Sequence, residues 1–261
     1  MIPCASGRLL MLQQILRPRP RAISRRSFLV LSGGALLPPS LAWAGSPFAR
    51  ASNEVPTLLD HILLGSSDLG SGIAFVEKQS GVRAAFGGVH PGRGTSNALL
   101  SLGERRYLEI IAPDPEQSEV PDAYGLRRLE EPRLVAWAAH PGDIKALAER
   151  LAKAGIAAEG PTPGSRKRPD GRLLSWKTLN LADTAEGLLP FFIEWSADSL
   201  HPSADSPQGC TVTQFEALTP EADALLARLR QLDLDVPVRK AARPQLRAIL
   251  AGRKGSFTLT S

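Results

Sequence analysis

Two glutamates stand in the middle of otherwise apolar stretches: Glu109 in Tyr107-Leu108-Glu109-Ile110-Ile111-Ala112, and Glu194 in Phe191-Phe192-Ile193-Glu194-Trp195-Ser196. A carboxylate buried in such a strand is costly unless something pairs with it. His61, in Leu59-Asp60-His61-Ile62-Leu63-Leu64, offers an imidazole, the side chain whose charge changes closest to neutral pH. A repeated module with an inward-facing histidine and glutamates is the feature on which a functional reading rests. The same residues can also simply hydrogen-bond one another in a polar pocket, or serve packing alone.

A second group of polar residues lies nearby. Gly87-Gly88-Val89-His90-Pro91-Gly92-Arg93-Gly94-Thr95 reads as a loop entering a strand that carries Asn97. His90 can act as acid, base or substrate contact, and backbone amides beside the Arg93 guanidinium suit a carboxylate or phosphate. The matching segment, Ser165-Arg166-Lys167-Arg168, is also basic and is followed by Arg172, Trp176 and Lys177. His90, Arg93, Asn97, Arg172 and Trp176 are therefore the candidate substrate contacts, set against ordinary solvated turn chemistry. Of Trp137, Trp176 and Trp195, at least two are expected in the core. His201-Pro202 is expected to cap a strand end, and Cys210 has neither a disulfide partner nor a nearby triad.

Repeated elements must position these groups. Leu58 to Ala112 and Leu134 to Ser196 share one outline: strand, helix, glycine-rich loop, strands. Alternation along the first strand puts His61 and Leu63 on one face, Ile62 and Leu64 on the other. Asp68 is predicted to cap a helix ended by Gly81, and Asp143 a helix with Ile144, Leu147, Ala148 and Leu151 on one stripe, ended by Gly155. Superposing the two capping aspartates sets an offset of 75 residues, which puts Ala136 at the position of His61. The second copy thus lacks the histidine. After Gly209 a partial βαββ unit, residues 209–260, is expected to cover a sheet edge.

The net charge of +5 and pI near 9.6 invite a nucleic-acid reading, but the excess is local. Residues 1–44 carry six arginines and no acid, leaving 25 basic against 26 acidic residues in the remainder. That remainder also lacks an interleaved basic and aromatic stripe, so no nucleic-acid partner is expected. Ser24-Arg25-Arg26-Ser27-Phe28-Leu29, a mildly apolar run to Ala44 and the small-residue site Ala42-Trp43-Ala44 read as a twin-arginine signal peptide. The run is broken by glycines and prolines and is short for a span, so cleavage rather than a stable membrane anchor is expected. The export machinery is then a partner, and the periplasm or exterior the destination. Residues 45–56 read as a linker.

The paired βαβββ outline, the Leu-Asp-His-Ile-Leu strand, the Gly-Gly-Val-His-Pro-Gly-x-Gly-Thr loop and the Tyr-Leu-Glu-Ile strand resemble the vicinal-oxygen-chelate superfamily, particularly its glyoxalase-like branch, over roughly residues 57–202. The resemblance implies an α+β fold in which two βαβββ modules form a cup-shaped mixed sheet, with the partial C-terminal unit added to it. It also implies metal ligands on the first and last strands of the modules: His61, Glu109 and Glu194, with His90 as the spare that could complete the site, holding a divalent ion such as Zn, Mn, Fe or Ni, or none if the cup is metal-free. The activity implied is that of an exported glyoxalase-like enzyme on a small oxygenated molecule, with or without a carboxylate, by lyase, isomerase or dioxygenase-type chemistry, in which Glu109 or Glu194 is the catalytic, proton-moving base. The alternative is a non-catalytic protein that binds or sequesters a small molecule in the same cup.

Overall fold

The computed structural model describes residues 54–261. The signal peptide and nearly all of the linker read from the sequence lie outside them. The elements run β1 (Leu59–Gly65), α1 (Leu69–Ser80), β2 (Ala85–His90), β3 (Thr95–Ser101), β4 (Tyr107–Pro113), β5 (Arg133–Ala139), α2 (Ile144–Lys153), β6 (Ala158–Lys167), β7 (Leu173–Leu181) and β8 (Phe191–Trp195). They continue through α3 (Pro202–Asp205), β9 (Thr211–Thr219), α4 (Ala222–Gln231), β10 (Val238–Lys240), β11 (Gln245–Gly252) and β12 (Gly255–Thr260).

Eight strands form one curled sheet in the order β2-β3-β4-β1-β5-β8-β7-β6. Each module contributes four of them, and β1 and β5 pair antiparallel at the centre. Within each module the first strand pairs parallel with the last, β1 with β4 and β5 with β8. Such a parallel pair needs a long crossover, which the helix and the two outer strands provide. The caps fall where the sequence places them. Asp68 accepts a hydrogen bond from the Ser71 amide and Gly81 closes α1 at φ 74°, while Asp143 accepts from the amides of Lys145 and Ala146.

One face of the sheet is packed and the other forms the cup. Ile62, Leu64, Leu108, Ile110 and Trp137 belong to the main core together with Val76, Ile144, Leu147 and Leu151 of the helices. Each large apolar side chain buried this fully contributes about 1.5–3 kcal/mol relative to an exposed one. Trp137 is pure core, its ring 5.1 Å from that of Phe215 and its indole N–H donating to the Leu188 carbonyl.

Two expectations change here. The basic segment Ser165-Arg166-Lys167-Arg168, matched above to a loop, lies for the most part in β6, a ten-residue edge strand. An edge strand loses little by containing prolines, because their missing amides face no neighbour. The C-terminal segment does not cover an edge. It builds a four-stranded sheet of its own, in the order β10-β9-β11-β12. Phe215, Ala217, Leu246, Ala248 and Leu250 of that sheet join the main core instead.

The curl brings the outer strands β2 and β6 together. Arg166 of β6 donates from a terminal guanidinium nitrogen to the Gly87 carbonyl of β2. Gly88 lies at this seam with φ 139°, and a Cβ there would stand 2.9 Å from the Lys167 carbonyl oxygen. Glycine is required at Gly88 both by the backbone angle and by the close approach.

Candidate functional site

The cup encloses a cavity of about 490 Å³. Its first-module wall carries His61, His90, Thr95, Asn97 and Glu109, and its second-module wall Trp176, Thr178, Phe191, Ile193 and Trp195. Tyr107, Arg166, Arg93 and Tyr124 line it as well, with Leu63, Ile111 and Ala123. One half is therefore hydrogen-bonding and ionisable, the other aromatic and aliphatic. Specific small-molecule pockets commonly combine a few placed polar groups with an apolar wall in this way.

A bulge sets the geometry of His61. Leu59 opposes Ala139 and His61 opposes Ala138, so Asp60 is an extra residue in the β1–β5 ladder. That extra residue lets Leu59 and Ile62 both reach the core while Asp60 and His61 lie adjacent and buried. Asp60 Oδ1 is 2.7 Å from His61 Nδ1. The other oxygen meets His201 Nε2 at 3.2 Å, and the Trp195 indole N–H donates to both oxygens at 3.3–3.4 Å. His201 Nδ1 accepts the Ser203 amide, so the ring proton sits on Nε2 and is given to Asp60. Burial would raise the Asp60 pKa, but the bonds from His201 and His61 outweigh it and hold the carboxyl well below the usual range. With Asp60 ionised, His61 carries its proton on Nδ1 and turns Nε2 to the cavity. Tyr107 stacks on the imidazole at 4.4 Å and 18°, fixing the ring plane.

Opposite His61 Nε2 lies Glu109 Oε2, at 3.4 Å. Its other oxygen accepts a 2.7 Å bond from the Asn97 amide, whose nitrogen is also 3.3 Å from His90 Nε2. The far nitrogen of His90 contacts Thr95 Oγ1 at 2.9 Å. Burial alone would raise the Glu109 pKa, yet His90, His61, the Asn97 bond and Arg166 together leave it lowered. The His90 pKa is lowered, chiefly by burial and against the pull of Glu109, so this ring stays neutral. The result is an ionised carboxylate with one oxygen firmly held and the other loosely placed beside an oriented imidazole. Such a group can accept a proton from a bound molecule and exchange it with His61.

Glu194 does not join them. Its Oε2 accepts the Ile144 amide at the start of α2, 2.8 Å away, and Oε1 lies 3.3 Å from Lys177 Nζ. Phe191, Ile193 and Trp195 alternate with it and face the cup. The buried glutamate finds its partner, but on the helix side of the sheet, where the helix N-terminus favours negative charge. The parallel ladders explain why. Leu63 pairs with Glu109, and Ala138 with Phe191. The offset that equates Asp68 with Asp143 also equates Leu63 with Ala138, so Phe191 occupies the position of Glu109.

The other sequence candidates divide. His90, Arg93, Asn97 and Trp176 line the cavity with His61 and Glu109, whereas Arg172 pairs with Asp170 and Asp205 beside the β6–β7 turn. The Gly92 amide is taken by Gln117 and the Arg93 amide by the His90 carbonyl, so those two amides are not free to receive an anion. Trp176 and Trp195 line the cup, leaving Trp137 alone of the three in the main core. His201 caps α3 and also holds Asp60. Asp60, Tyr107 and Arg166 were missed as site residues. Strict alternation hides Asp60, and only closure of the sheet brings Arg166 inside.

Among the described residues, no group of three His, Cys, Asp or Glu side chains is arranged to hold a metal ion. The donor set is consistent with this. The two second-module positions that would complete a site are Ala136 and Phe191, and the Asn97 amide engages both His90 and Glu109. These residues do not fit a divalent ion shared by both modules.

Residues 59–232 match the family described as glyoxalase-like domain. The chain belongs to the glyoxalase-like domain family. Among solved structures, this glyoxalase-like chain is similar to a hypothetical protein from Staphylococcus aureus at 17% identity and TM-score 0.53, covering 77% of this chain and 84% of that one. Methylmalonyl-CoA epimerase from Mycobacterium tuberculosis is 20% identical with TM-score 0.39, over 53% of this chain and 87% of its own. The likeness to the staphylococcal structure concerns the fold alone. No curated protein matches the glyoxalase-like chain.

Proposed function

We propose that this glyoxalase-like protein is a metal-independent proton-transfer enzyme acting on a small oxygenated molecule. The observation that carries the reading is the contact of His61 Nε2 with Glu109 Oε2 at 3.4 Å inside the cavity, with the far side of His61 fixed by Asp60 at 2.7 Å. Glu109 takes a proton from carbon next to a carbonyl. The C–H electron pair becomes the C=C bond of an enolate, and the carbonyl oxygen takes the negative charge. Glu109 passes the proton to His61, and the imidazolium delivers it to the enolate oxygen, so the enol isomer forms with no other reactant and both side chains regain their starting states. The aromatic wall keeps water from the reacting carbon.

Incubation in heavy water with 2-oxo acids that do or do not carry a phenyl group, followed by proton NMR, tests this directly. The wild-type protein is expected to exchange the carbon-bound hydrogen, and Glu109→Gln to lose that exchange. Undiminished exchange in Glu109→Gln would sink the assignment.

A second reading, a non-catalytic binder, is favoured by the apolar Ala136 and Phe191 at the second-module positions. It predicts saturable binding with no exchange in any variant. Delivery through the twin-arginine route to the periplasm or exterior forms part of the proposal and is supported by the sequence of residues 24–44. Loss of export when Arg25 and Arg26 are both replaced by lysine tests it.

A further inference from the structure

Arg166 is buried, with 3% of its surface exposed, and lines the cavity. Among the described residues it forms no ion pair. One terminal nitrogen is bonded to the Gly87 carbonyl, and Nε has no hydrogen-bond partner. An arginine so placed is expensive: burial pushes its pKa down, and Glu109 and Tyr107 only partly oppose this. Leaving a guanidinium N–H unpaired in a closed space forfeits a further charge-assisted hydrogen bond. By contrast, the neighbouring arginines of the same hairpin, the partly buried Arg168 and the exposed Arg172, both pair with Asp205.

We infer that Arg166 anchors the carboxylate of the ligand, and that the cavity selects small monocarboxylates with a flat, unsaturated body. The charge balance supports a single negative charge. Among the charged groups that line the cavity, Arg166 and Glu109 offset one another and Arg93 adds one positive charge, while Asp60 lies behind His61 with both oxygens taken by hydrogen bonds from His61, His201 and Trp195. A dianion would meet Glu109 without a second buried cation to receive it. The body of the ligand then lies against Trp176, Trp195 and Phe191, whose rings favour a planar partner. The structural alternative is that Arg166 serves only to join β6 to β2 at the seam.

This inference rests on the cavity being a small-molecule site, and does not require the proton-transfer step. Benzoate and benzamide share one shape and differ in charge, so titrating each against the fluorescence of Trp176 and Trp195 isolates the anchor. The wild-type protein is expected to bind benzoate about tenfold or more tightly than benzamide. Arg166→Met is expected to abolish that preference while leaving benzamide affinity in place. If Arg166→Met does not fold, Arg166→Lys serves: it keeps the charge without the planar fork and should retain a reduced preference. Glu109→Gln separates the two claims, because it should lose hydrogen exchange while binding benzoate at least as well as the wild type. A wild-type protein indifferent to charge, or a preference that survives undiminished in both Arg166 variants, overturns the inference.

Discussion

Asp60 and His201 lie 141 positions apart in the chain and meet at 3.2 Å, with His61 held on the other oxygen of the same carboxylate. Two imidazoles thus share one buried anion. The segment after the last strand of the second module thereby fixes a histidine on the first strand of the first.

Asp60→Asn removes the charge and leaves one acceptor oxygen for two imidazole N–H groups, so His61 is no longer fixed as its Nδ1–H tautomer. Turnover should fall by roughly 10²–10⁴-fold if the oriented imidazole supports proton transfer. His201→Gln keeps a donor near Asp60 and should cost much less. Comparing kcat for the two variants checks this; equal losses would assign His201 a role in the chemistry itself.

The pH dependence of stability has a definite sign. His90 is held neutral in the folded protein, with its pKa below the ordinary value of about 6.5. As pH falls below that value, the unfolded chain binds a proton that the folded one refuses, so stability declines. Asp60 and Glu109, both lowered on folding, add their own losses only as pH falls below the ordinary carboxylate range near 4. Melting temperatures of wild type and His90→Asn between pH 7 and 5 should therefore converge as pH drops, with the variant showing the flatter profile.

At the sheet seam, Gly88→Ala forces an unfavourable φ and brings a methyl group to 2.9 Å from the Lys167 carbonyl. A loss of roughly 1–3 kcal/mol is expected, read by chemical denaturation. Gly142, with open space around its Cβ position, is the control and should lose far less when changed to alanine.

Prolonged dialysis against a chelator should leave both ligand binding and hydrogen exchange unchanged. Elemental analysis of the protein before and after dialysis, alongside the exchange assay, checks this. Recovery of lost exchange only on adding back Zn, Mn, Fe or Ni would restore a metal to the mechanism.

Much of this protein is legible in its sequence. The repeat, the capping aspartates and the period-two alternation place His61 and Glu109 on one face of neighbouring strands, because local backbone geometry carries that information. Glu194 shows where it stops. A glutamate in an apolar strand demands a partner, but which face it takes depends on strand register, and a shift of one residue exchanges the faces. Asp60 enters the site through a bulge, His201 by docking from a distant segment, and Arg166 by closure of the curled sheet. Those contacts are long-range, so pattern within a strand could not reveal them, and only the folded chain decided which charges share the cavity.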